Sequence, residues 1–171
     1  MIKMNNNDIL TRLRYALNLK DAEMVEIFGL GGIEIAKDDI QAILSKVKKD
    51  GHEVDEEEFQ ANDYKKKLDN NMLESFLNGL ITFKRGASDS EKPVPMTMND
   101  RNVNNILLKK VKIALTLTSE DMLDILSDTG TILSNSELSA VLRKEGHRNY
   151  KECGDRYARN FLKGLAMRYR D

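Results

Sequence analysis

Residues 147–155, HRNYKECGD, hold the only cysteine of the chain and one of its two histidines. A cysteine becomes a nucleophile when a nearby base or the positive end of a helix lowers its thiol pKa. His147 and Tyr150 precede Cys153 closely, and a helix start follows it. A thiol–imidazole site is therefore the chemistry to weigh. No glycine-flanked nucleophile or oxyanion-hole motif accompanies these residues, and the matching stretch of the first half has no cysteine. The competing reading is architectural: Cys153 buries as a small apolar residue and Asp155 caps the next helix. That second reading is favoured.

Other stretches resemble sites and fail on spacing. GLGG at 29–32 lacks the G-x-x-x-x-G-K-[ST] or G-x-G-x-x-G pattern that cradles phosphate, so a helix end and turn is expected. EVDEEEF at 53–59 is acidic without the spaced carboxylates of a calcium loop, and reads as a solvated segment. RYARNFLKGLAMRYR at the C-terminus mixes cations with aromatics, which suits phosphates and bases, yet Tyr157, Phe161 and Leu165 fall on one helical stripe and are expected to pack inward. A helix-turn-helix would place Asn135–Arg143 as reader, but the equivalent connection at 29–37 is longer than the usual three or four residues, which disfavours that motif without removing it. One cysteine makes no internal disulfide, and no metal-ligand spacing exists. No catalytic residue, metal or cofactor is assigned.

The elements that position these residues come twice. RYALNLKDAEMVEIF from Arg14 and KIALTLTSEDMLDIL from Lys112 align at a constant offset, pairing Ala16 with Ala114, Leu17 with Leu115, Met24 with Met122 and Ile27 with Ile125. Ile43 and Val141 keep that offset, and FLNGL at 76–80 returns as FLKGL at 161–165. Apolar spacings of three and four predict four helices per copy, from about Asn7, Asp21, Lys37 and Asn70 in the first. Thr118 and the Ser134-to-Glu137 pattern are helix caps. Gly79 and Gly164, each beside Phe-Leu and Leu, predict close helix crossings, since a helical glycine otherwise costs about 1 kcal/mol relative to alanine. Strand formers are sparse. The fold class expected is all-α, as two homologous multi-helix units at 1–85 and 99–171, joined by a linker at 86–98 that contains both prolines.

Apolar residues make up 40% and charged residues 32% of 171, a mix that suits solvated helices and not disorder. The net charge of −1 provides no global field for nucleic acid or membrane. It conceals an asymmetry. Residues 1–86 carry 13 Lys/Arg against 16 Asp/Glu, and residues 99–171 carry 13 against 10. No apolar run approaches a membrane span and no secretory h-region is seen, so a cytoplasmic setting is expected.

Together, NNDILTRLRYALNL, SFLNGLITFKRG, NNILLKKVKIALTLTSEDMLDIL and GHRNYKECGDRYARNFLKGL give a chain that resembles the YehS-like family of uncharacterised bacterial proteins. That resemblance implies a tandem domain of unknown function and a bacterial cytoplasmic protein, and brings no activity, substrate or catalytic residue. The acidic-basic insert around Glu53–Lys67 departs from the family pattern.

The function expected is a non-enzymatic protein-interaction module whose partner is another protein or a second copy. The alternative is nucleic-acid binding or regulation through the basic second unit. An enzyme using His147, Tyr150 and Cys153 ranks third. The interaction residues expected are Lys84, Arg85, Arg143, Lys144, His147, Arg148, Arg156 and Arg159, with Lys84 and Arg85 facing the HRNYKECGD turn across a crevice between the units.

Overall fold

A computed structural model describes residues 4–46, 64–86 and 96–170. The acidic stretch at 53–59 and most of the proline-containing linker lie outside the described residues. Among them are eight helices and no strand; an isolated bridge joins Lys46 and Tyr64. The first four are α1 (Asn6–Leu17), α2 (Asp21–Leu30), α3 (Lys37–Leu44) and α4 (Asn70–Arg85). The second four are α5 (Val103–Ala114), α6 (Ser119–Ser127), α7 (Asn135–Leu142) and α8 (Asp155–Tyr169).

Local chemistry sets the ends. Asn5, Thr118 and Ser134 accept from the backbone three residues on, and Asp8, Asp121 and Glu137 return the bond, giving capping boxes on α1, α6 and α7. Asn18 and Thr116 close α1 and α5 in the left-handed region at φ 52° and 55°, with Leu19 and Leu117 bonding back to the carbonyls of Arg14 and Lys112. The GLGG stretch is a helix end and turn, with Gly31 closing α2 and Gly32 at φ 94°; Gly130 repeats the turn at φ 90°. One capping expectation needs correction. Gly154, not Asp155, is the N-cap of α8, and the Asp155 carboxylate is occupied by the Met4 amide at 3.1 Å and Asn104 Nδ2 at 2.8 Å.

The two sets of helices interlock. The last helix of each set lies along the first helix of the other: α4 on α5, and α8 on α1. Within the sets, α2 crosses α4 and α6 crosses α8. A Cβ on Gly79 would overlap the Ile27 carbonyl, and one on Gly164 would overlap the Ile125 carbonyl, so both glycines are required by backbone-close crossings. Gly31 faces the Ser75 carbonyl with the same lack of room. Leu10, Leu13, Phe28, Phe76, Leu108, Phe161 and Leu165 are wholly buried in a core that draws on both sets. Each such side chain contributes about 1.5–3 kcal/mol of transfer free energy.

Polar groups align the interlocked pairs. Asn6 bridges to Asn70 at 2.8 Å, Asn70 to Asp100 at 2.9 Å, and Asn104 to Asp155 at 2.8 Å, so the starts of α1, α4, α5 and α8 lie at one end of the molecule. Farther along, Lys110 Nζ reaches Asn78 Oδ1 at 2.5 Å, and Arg170 reaches the Tyr15 carbonyl at 3.0 Å. Thus α4 and α5 run parallel, as do α1 and α8. Acidic groups near the helix starts offset the summed positive dipole ends there.

Candidate functional site

The α7–α8 connector, residues 143–154, is fastened to the core from behind by one side chain. Asn105 on α5 is 3% exposed. Its Nδ2 donates to the carbonyls of Val141 at 2.9 Å and Lys151 at 2.8 Å, and its Oδ1 accepts from the Cys153 amide at 2.9 Å. The first set repeats this. Asn7 donates to Ile43 at 2.9 Å and Lys66 at 2.7 Å, and accepts from Leu68 at 3.0 Å. Both asparagines bond, through amide N–H and oxygen alike, to backbone of the connector and of the helix end before it. These residues were missed as key positions by the sequence reading. The signal available was the Asn-Asn doublet at 6–7 returning at 104–105.

The same match identifies Cys153. It stands where the first set has Leu68, and it is 3% exposed. Burial pushes its thiol up to about 12, with the Asp155 charge adding to the effect. This is opposite to the shift a nucleophile needs. His147 is exposed, and its Nδ1 accepts from the Asn149 amide at 3.1 Å. Among the described residues no hydrogen bond joins His147 to Cys153. Burial also raises Tyr150, whose hydroxyl has no partner among the described residues. His147, Tyr150 and Cys153 are neighbours in sequence without forming a catalytic relay.

The connector's outer face is basic. Arg143, Lys144, Arg148 and Lys151, with Arg156 in the first turn of α8, are exposed and make no ion pair with a described carboxylate. The two carboxylates among them are engaged elsewhere: Glu145 accepts from Asn99 at 3.0 Å, and Glu152 pairs with Arg101 at 3.6 Å. Arg159 lies one turn into α8, is half-buried, and is not part of the exposed group. The expected meeting of Lys84 and Arg85 with the HRNYKECGD turn does not occur. They end α4, roughly 20 Å of helix from its start at Asn70. The connector sits at the opposite end, beside the starts of α5 and α8. Parallel pairing of α4 with α5 separates the two groups.

Beside the connector a cleft of about 390 Å³ opens between α7 and α8. Leu133, Val141 and Tyr157 give it apolar walls, and Lys151 and Arg156 stand at its margin together with Glu137 and Glu152. In the first set the matching lysine and acid, Lys66 and Asp39, are joined at 3.1 Å. No group of three or more His, Cys, Asp or Glu residues that could hold a metal occurs among the described residues.

A second buried charge cluster was also missed. Glu74 on α4 is wholly buried, accepts from the amides of Thr97 and Met98 at 2.8 Å each, and pairs with Lys110 at 3.7 Å. Burial lowers the Lys110 pKa against the opposing pull of Glu74. This cluster locks the segment entering α5 onto α4.

Duplicated four-helix sets, interlocked through their first and last helices and each pinned by a buried asparagine, define the class of protein. The chain belongs to the family described as "Protein of unknown function (DUF1456)", whose model matches residues 6–86 and again 104–171. It is 39% identical over 166 residues to "Uncharacterized protein YehS" of Escherichia coli (strain K12), covering 96% of each chain. No solved structure matches it. No helix among the described residues is long and apolar enough to cross a membrane.

Proposed function

We infer that this chain is a non-enzymatic interaction module of the cytoplasm that engages another protein through its second helical set. One observation carries this reading: five exposed cations without carboxylate partners stand on a connector that Asn105 fastens and on the first turn of α8 beside it. A preorganised surface loses little entropy on binding. The groups that resembled a catalytic site support it from the other side, because Cys153 is buried and its thiol is pushed away from reactivity.

Nucleic-acid binding is the second reading and would use Arg143, Lys144, Arg148 and Arg156. The same cations favour it. The small footprint and the net charge of −1 count against it. Affinity capture from a bacterial lysate, with bound protein and nucleic acid both identified, tests the two. Recovery of a specific protein supports the module. Recovery of nucleic acid alone, with a salt-dependent gel shift, replaces it with the second reading.

A further inference from the structure

Two features that adjoin on the second set define a more particular partner. The first is the run of unpaired cations Arg143, Lys144, Arg148, Lys151 and Arg156. The second is the cleft of about 390 Å³ walled by Leu133, Val141 and Tyr157, with Lys151 and Arg156 common to both features. We propose that this surface docks an acidic segment of a partner protein, with one apolar side chain of that segment seated between Leu133, Val141 and Tyr157. The inference rests on the interaction-module reading and names the site and the chemistry of its partner.

The charge pattern selects the acidic class. Glu145, Glu152 and the cleft-lining Glu137 oppose an acidic segment, but Arg101 pairs with Glu152 at 3.6 Å and the five cations outnumber these three acids. What faces outward is an excess of positive charge over a short span, which steers and orients an acidic segment. The cleft selects a protein over a nucleic acid. A phosphate backbone has no use for an apolar recess, whereas a leucine-sized side chain buried there acts as the anchor that dominates small interfaces. The connector is already fixed through the backbone of Val141, Lys151 and Cys153, so docking does not first require it to order.

The contrast between the two sets bears on where such docking occurs. At the corresponding place in the first set, Lys66 is neutralised by Asp39 and Met72 replaces Tyr157. In the second set the matching acid, Glu137, lines the recess with Lys151 without pairing with it, and the recess is open.

The test uses the full chain and a fluorescent peptide in which Glu and Asp flank a single Leu. A twin peptide carries Ser in place of Leu, and an oligonucleotide of equal charge is the third probe. At low salt the Leu peptide should bind more tightly than the Ser peptide. Arg143→Glu, Lys144→Glu and Arg148→Glu combined should weaken the Leu peptide at least roughly tenfold, since three of the five cations that attract it are reversed. Gly154→Leu should fill the recess, because a Cβ there meets nothing within 4 Å. It should weaken the Leu peptide and leave the Ser peptide unchanged. Circular dichroism checks that each variant keeps its helices, and the Leu-to-Ser comparison needs no variant at all. Equal binding of the two peptides, indifference to the charge reversals, or tighter oligonucleotide binding that ignores Gly154→Leu would each overturn the proposal. Lysate capture separates this failure from failure of the module reading. A protein retained by the charge-reversed chain refutes this surface alone, and capture of no protein by the native chain refutes the module.

Discussion

The Cys153 amide donates to Asn105 Oδ1 at 2.9 Å, tying the residue that looked most reactive to the start of a helix 48 positions earlier. Asn105→Leu removes the partners of three backbone groups at once: the carbonyls of Val141 and Lys151 and the Cys153 amide. Each buried group left unpaired costs about 1–3 kcal/mol, and partial solvation of the connector reduces the total to about 3 kcal/mol. Urea denaturation of Asn105→Leu should show that loss. Asn105→Asp should also destabilise, because a carboxylate cannot donate to the two carbonyls.

The crossing glycines give a steric prediction. Gly79→Ala and Gly164→Ala drive a methyl into the carbonyls of Ile27 and Ile125. Overpacking of this kind costs about 1–3 kcal/mol where neighbours can shift, and backbone oxygens shift poorly. Both variants should lose more than that range or fail to fold. Gly29→Ala, where a Cβ meets nothing within 4 Å, should be tolerated. Thermal unfolding followed by circular dichroism distinguishes the three.

Cys153 links stability to alkaline pH. Its folded thiol is held at about 12 by burial, above the ordinary value of 9.0. Between those values the unfolded thiol is ionised while the folded one keeps its proton. The folded state then binds more protons, so stability falls as pH rises, by up to about 1.4 kcal/mol per unit above 9. Tyr64, also raised to about 12 by burial and by its bond to Asp8, adds a shallower slope above its ordinary value of 10.0, because solvent screens this half-buried hydroxyl. The Cys153 share is the difference between the native chain and Cys153→Ala. At pH 8 the native thiol should react with Ellman's reagent only after denaturation.

The Glu74–Lys110 pair predicts strong non-additivity. Glu74→Leu leaves Lys110 half-desolvated without its carboxylate, and Lys110→Met leaves a wholly buried Glu74 without its cation. Each single change should cost about 3–5 kcal/mol, and the double variant should cost less than the sum of the two. A double-mutant cycle from denaturant midpoints measures the coupling.

Much of this architecture is legible in the residues. Apolar spacing locates the helices because each buries one face, and Thr118 and Ser134 mark starts because capping is local. Gly79 and Gly164 announce the crossings because a repeated helical glycine beside the same apolar residues has few other uses. The remainder depends on contacts distant in sequence. Glu74 resembles any surface acid until Thr97, Met98 and Lys110 close over it. Asp155 resembles a cap, yet Met4, at the other end of the chain, competes for its carboxylate and Gly154 takes the cap position. Lys84 and Arg85 were placed near the HRNYKECGD turn by the internal repeat, and the parallel run of α4 and α5 puts them at the far end instead. Of the interaction residues, the connector cations group together because they share one loop, while Arg159 separates from them because it lies a turn into α8 and is half-buried.

The interlocking of the two sets is tested most directly by cutting the chain between them. Producing residues 1–86 and 87–171 as two separate chains removes the covalent link between them. The two fragments should stay together through gel filtration and unfold in a single denaturant transition, because α1 lies on α8 and α4 on α5. Fragments that separate at micromolar concentration while each remains helical would contradict the shared core.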